Sequence, residues 1–170
     1  MRLKTVLFTF LFFVLAKQLT IAQINGRIAT LSVKASATVT DNLQMLTIRN
    51  IDLVNPGING NQITVSPITS SYSGMFKITG NPKAKVRVTY LQNEVLKEQS
   101  EGIGTVNATF EISGAPQDTQ FQSTLLTVGE ANISLSERGE FFIWLGGVLD
   151  VSLATPGIYL SEFLIELEYI

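Results

Sequence analysis

The last fourteen residues constrain the fold most. Gly157 to Ile170 reads Gly-Ile-Tyr-Leu-Ser-Glu-Phe-Leu-Ile-Glu-Leu-Glu-Tyr-Ile. Tyr159, Phe163, Ile165, Leu167 and Tyr169 fall on odd positions, and Glu162, Glu166 and Glu168 on even ones, with Leu160, Leu164 and Ile170 on the acidic side. Successive side chains of an extended chain point to opposite faces, so this pattern predicts a strand with one aromatic, branched face and one carboxylate face. A strand at a chain end can be lent or exchanged in a way that an internal strand cannot.

The other end of the chain carries a different signal. Arg2 and Lys4 form a short basic start, and Val6 to Ala16 is apolar except for Thr9. That run is too short to cross a bilayer comfortably. Thr20 and Ala22 are small residues placed three and one before Gln23. Residues 1–22 are therefore expected to be a secretory signal peptide, which predicts an exported protein at the cell surface, outside the cell or in the periplasm, with no membrane span after processing.

Gln23 to Ile170 leaves 148 residues, enough for one domain with a substantial core. Its nine basic and fourteen acidic residues give a net charge of about −5, which argues against nucleic acid and against acidic membranes as partners. The chain has no cysteine and no histidine. The first absence removes any disulfide framework, so burial alone must hold the fold. The second removes the commonest general base and metal ligand.

The interior repeats the strand pattern. Leu31, Val33, Ala35, Ala37 and Val39 alternate with polar partners, and Asp41-Asn42 reads as a turn. Leu43 to Leu53 is extended but slips phase, which a bulge would absorb. Asn55 to Asn61 is a loop, Ile63 and Val65 start a strand that Pro67 ends or confines to an edge, and Phe76 and Ile78 give another. Lys83 to Tyr90 places Ala84, Val86, Val88 and Tyr90 inward. Val95-Leu96 returns, and Thr105 to Ser113 alternates with Val106, Ala108, Phe110 and Ile112 inward. Gly114 to Asp118 reads as a loop, with short strands expected at Leu125–Val128 and at Ala131, Ile133 and Leu135. Phe141 to Leu145 is continuously apolar, so both faces of its strand should be covered, and Gly146-Gly147 permits a bulge or a close backbone approach. About eight to ten strands separated by turns predict an all-β protein, an antiparallel β-sandwich.

No catalytic constellation emerges. Glu162, Glu166 and Glu168 are expected to form a solvated face rather than an acid–base or cation site. Asn55 to Asn61 lacks the carboxylates of a calcium loop. Without histidine or cysteine, the many Ser and Thr hydroxyls have no ordinary activating base. No cofactor or metal site is expected, and the chain is read as a non-enzyme. Trp144, in the most apolar segment, belongs in the core, whereas Tyr72 in its polar loop should be exposed. Lys83, Lys85 and Arg87 complement the acidic strip of the final strand, which would suit subunit pairing or neighbouring strands.

Gly157 is fourteenth from the end and Tyr169 is penultimate. In this the last strand resembles the C-terminal strand of pilins assembled by the chaperone–usher route. Gly146 to Val151, Pro156 to Tyr159, Ala35 to Val39 and Phe76 to Gly80 also resemble an uncharacterised family of exported bacterial domains, common in Bacteroidetes and grouped with the fimbrial adhesins. The resemblance implies an immunoglobulin-like, pilin- or adhesin-like sandwich with a structural role. It also implies assembly by β-strand exchange, with Gly157, Tyr159, Phe163, Ile165, Leu167 and Tyr169 as the zipper residues, and protein partners that are further copies of the chain or a periplasmic chaperone. The expected division is a signal peptide over 1–22, an N-terminal extension or first strand over 23–34, and one sandwich domain over 35–170. A complete sandwich closed by its own last strand accounts for the same residues. That alternative would be a monomeric secreted module binding a glycan or a protein through loops such as Ser70 to Gly74 or Gly114 to Gln120.

Overall fold

The computed structural model describes residues 29–38, 42–100 and 103–170. The expected signal peptide and Gln23 to Ile28 lie outside the described residues. Two sheets pack face to face over one apolar core, so the protein is an all-β sandwich. Among the described residues no helix is long and apolar enough to cross a membrane.

The smaller sheet runs in the order β1 (Ala29–Thr38), β11 (Gly157–Tyr169), β5 (Lys85–Tyr90) and β9 (Glu130–Ser134). The larger runs β2 (Gln44–Arg49), β4 (Gly74–Thr79), β10 (Glu140–Asp150), β7 (Thr105–Ala115) and β6 (Asn93–Lys97). Two short strands join it: β3 (Gln62–Val65) pairs with β10, and β8 (Thr124–Leu125) pairs with β7. Every pairing is antiparallel except that of β1 with β11, which is parallel and unbroken from Ala29 opposite Gly157 to Thr38 opposite Glu166. β1 crosses the 34/35 boundary drawn from the sequence as one continuous strand.

Most inward positions read from alternation are buried: Val86, Val88, Val106, Phe110, Ile112, Ile165 and Leu167 all lie in the core. The phase slip after Leu43 is resolved by a register shift between Thr47 and Arg49, where β2 pairs with β4. β2 ends there, and Ile51 and Leu53 enter the core from a non-strand segment. Two loop boundaries differ from expectation. Gly114 and Ala115 remain in β7 because Phe142 and β8 pair with them, and β8 is only Thr124–Leu125. Long-range pairing overrides the turn preference of Gly-Ala-Pro in the first case.

β10 explains its own apolar run. It is central, with β7 along one edge and β4 then β3 along the other. Phe141, Ile143, Leu145 and Leu149 fill the main core. Trp144 alternates away from them into a second cluster with Met75 and Ala115, against which Phe142 packs. Gly146 is required by contact: a Cβ there would run into the Val65 carbonyl and the Pro67 ring.

Candidate functional site

The final strand behaves as its alternation demands. Tyr159, Phe163, Ile165 and Leu167 are buried, and Tyr169 is half-buried at the end. Glu162, Glu166 and Glu168 are exposed, with Leu160 and Leu164 beside them. At the centre, the Phe163 ring lies 4.7 Å from that of Phe110 on the opposite sheet and 5.9 Å from that of Tyr90 on the neighbouring strand, both tilted. Such tilted pairs each add about 0.5–1.5 kcal/mol beyond area burial.

β1 covers one edge of this strand. Its register sets Leu31 opposite Tyr159 and Ala35 opposite Phe163. Small or slender residues on β1 accommodate the large rings on β11. Val33 is buried, while Ala29, Leu31 and Ala35 are partly buried against the core. On the outer face Lys34 stands opposite Glu162. β1 has no sheet partner on its other edge among the described residues.

Both ends of β11 are pinned by tyrosine hydroxyls. The Tyr159 Oη accepts from the Thr155 N–H at 2.7 Å and donates to the Thr155 carbonyl at 2.8 Å. The Tyr169 Oη accepts from the Asn81 N–H at 2.9 Å, tying the chain end to the turn after β4. Tyr159→Phe leaves a part-buried backbone N–H and C=O without their partner and is expected to cost about 1–3 kcal/mol. Chemical denaturation of wild type and variant checks this, and an unchanged midpoint would count against the role of this hydroxyl.

Gly157 owes its place to Glu98. A Cβ at Gly157 would fall on the side chain of Glu98, a residue only 5 % exposed. The Glu98 carboxylate accepts from the N–H of Ser100 at 2.9 Å and from that of Ile158 at 3.4 Å. The segment also pairs by backbone, with the Gln99 N–H donating to the Ile158 carbonyl at 2.9 Å. Deeper along the strand, the Ser161 hydroxyl donates to Glu94. Nothing in the polar run Lys97 to Glu101 marks Glu98 as buried, because its burial depends on a glycine fifty-nine residues away.

Within the basic strip, Arg87 pairs with neighbouring strands and Lys83 with a turn. Arg87 sits between Glu168 on β11, at 3.2 Å, and Glu130 on β9, at 3.1 Å. Lys83 pairs with Glu137 at 2.9 Å. These pairs are solvent-exposed and each contributes little. Trp144 is buried, and Tyr72 is exposed at 38 %.

Perturbed titrations lie in turns and in the core, away from any reactive grouping. The Asn55 side chain, with the Asn55 and Val54 N–H groups, holds the Asp52 carboxyl below its ordinary value. Ser152 does the same for Asp150 through its N–H and its hydroxyl. Burial, with the Glu111 charge, pushes the Tyr90 phenol up. No group of three or more Asp or Glu residues among the described residues is placed to hold a metal ion. Comparison of the chain with protein-family models and with curated proteins gives no match in either set.

Proposed function

We propose that the protein is a non-enzymatic structural or adhesive subunit, exported to the cell surface or beyond, with an immunoglobulin-like sandwich that assembles by β-strand exchange. The observation that carries this reading is the attachment of β1. Among the described residues it is the first strand, it pairs with β11 alone, and its one buried side chain, Val33, helps to cover the aromatic zipper. A strand held along a single edge makes the same backbone bonds whether it comes from its own chain or from another copy, so exchange costs little enthalpy. The Tyr159 hydroxyl, bonded back to Thr155 four residues upstream, supports the immunoglobulin-like form, which carries a corner tyrosine of this kind. The absence of histidine and cysteine from the sequence supports a role without chemistry of its own.

The test is the solution mass of Gln23–Ile170 by light scattering, beside a chain that begins at Ser36. A concentration-dependent ladder from the longer chain and none from the shorter is the expected result. Two stable monomers would remove the exchange mechanism. They would favour the second reading, a self-contained secreted binding module for a glycan or protein. That reading has its own support, because β1 completes the smaller sheet in register over ten residues within one chain.

A further inference from the structure

A cleft of about 680 Å³ opens between the loop that follows β7, the turn between β9 and β10, and Lys83. None of its lining comes from β1 or β11, so it stands apart from the assembly reading. Its volume lies in the range of small-ligand sites and suits a di- or trisaccharide. One wall carries Phe142, half-buried, whose ring is stacked with that of Trp144 at 6.4 Å. Pro116 and Leu135 add further apolar surface, and the polar lining includes Gln117, Asp118, Arg138 and Glu140.

The charges in the cleft sort into two kinds. Glu140 is taken by Lys77 at 2.6 Å, and Lys83 by Glu137 at 2.9 Å. The side chains of Gln117, Asp118 and Arg138 make no hydrogen bond or ion pair among the described residues. One carboxylate, one amide and one guanidinium are thus left facing a common space, with a net charge of zero. A carboxylate accepts two hydrogen bonds or more, a guanidinium only donates, and an amide does both. An anionic ligand would meet Asp118 and a cationic one Arg138. A purely apolar ligand would strip water from all three without replacing its hydrogen bonds. A neutral polyhydroxylated ring satisfies the set: its hydroxyls donate to Asp118 and accept from Arg138 and Gln117, and its C–H groups meet the apolar lining of Pro116, Leu135 and Phe142.

The walls are also pre-organised. The Lys83 N–H donates to the Ser136 carbonyl at 3.1 Å, and the Leu135 N–H to that of Ala84 at 2.9 Å. The Ser136 N–H donates to the Glu140 carbonyl at 2.9 Å, and the Ser136 hydroxyl oxygen accepts from the N–H groups of Arg138 and Glu140. A site held by backbone bonds loses little freedom when its ligand arrives. From these observations we infer that the cleft bounded by Gln117, Asp118, Arg138 and Phe142 is a binding site for a neutral oligosaccharide.

Titration of the isotopically labelled protein with maltotriose, cellotriose, mannotriose and the trimer of N-acetylglucosamine, followed by amide NMR, tests this. At least one trisaccharide is expected to give saturable shifts confined to residues 116–118 and 136–142. Asp118→Ala and Arg138→Ala each remove a charge-assisted hydrogen bond and should weaken that binding about tenfold or more. Both positions are exposed, and the dispersion of the variants' spectra reports that they remain folded. If none of the four sugars shifts those amides, or if binding is unchanged in both variants, the inference falls. It also falls if a sulfated trisaccharide binds there while the neutral ones do not. Neither result bears on the light-scattering test.

Discussion

Phe163→Ala is expected to lower the unfolding free energy by about 3–5 kcal/mol, the usual cost of removing a buried aromatic ring. The ring is 2 % exposed, and its partners Phe110 and Tyr90 come from strands that cannot easily follow it inward. Phe110 lies on β7, fixed by β10 and β6 on its two edges, and Tyr90 ends β5, fixed by β11. The cavity should therefore remain open, and a cavity that cannot collapse sets the cost at the high end. For a domain of this size the melting temperature should fall by roughly 10 °C or more. Phe163→Leu, which keeps most of the volume, should cost far less. Denaturant midpoints of the three proteins decide the matter. Equal losses for the two substitutions would mean that ring packing is not the source, and a loss below about 1 kcal/mol for Phe163→Ala would mean that the final strand is not central to the core.

Trp144→Ala should be about as costly, roughly 3–5 kcal/mol, for a different reason. Trp144 faces away from the main core yet is only 1 % exposed. In the same sheet region, two loop segments are tied to each other. The Gln120 amide donates to the carbonyls of Pro67 and Ser70, at 3.1 and 2.8 Å, and to the Ser73 hydroxyl at 2.9 Å. Ser113, also fully buried, donates to the Pro67 carbonyl at 3.1 Å and accepts from Ser123 at 2.8 Å. Removing the indole empties the second cluster next to Ser113, the cross-strand partner of Trp144. Amide hydrogen exchange should accelerate across residues 66–73 and 119–123 while β5 and β11 keep their protection. Uniform acceleration over the whole chain would instead place Trp144 in the main core.

Alternation made much of this architecture legible. A period of two assigns faces from local information alone, because the pleat sets where each side chain points. That is why the inward residues of β5, β7 and β11, the solvated glutamates and the interior place of Trp144 could be read from the chain. The phase slip near Leu46 and the close approach at Gly146 were legible for the same reason, since each breaks the period or omits a side chain. Strand ends were less so. Gly114 and Ala115 look like a turn by composition and are strand by pairing with β10 and β8.

What alternation cannot say is which strand lies beside which. Pairing partners are distant in sequence, and any two half-apolar strands are compatible until burial and register choose between them. Only the tertiary structure decided that β1 runs parallel to β11, that Arg87 meets Glu168 and Glu130, and that the glycine at 157 makes room for the buried Glu98. It alone brought Asp118, Arg138 and Phe142 to one cleft. The sequence determined the faces, because a side chain's direction is a property of its own backbone. The fold determined the neighbours, because contact is a property of two segments brought together by the core they share.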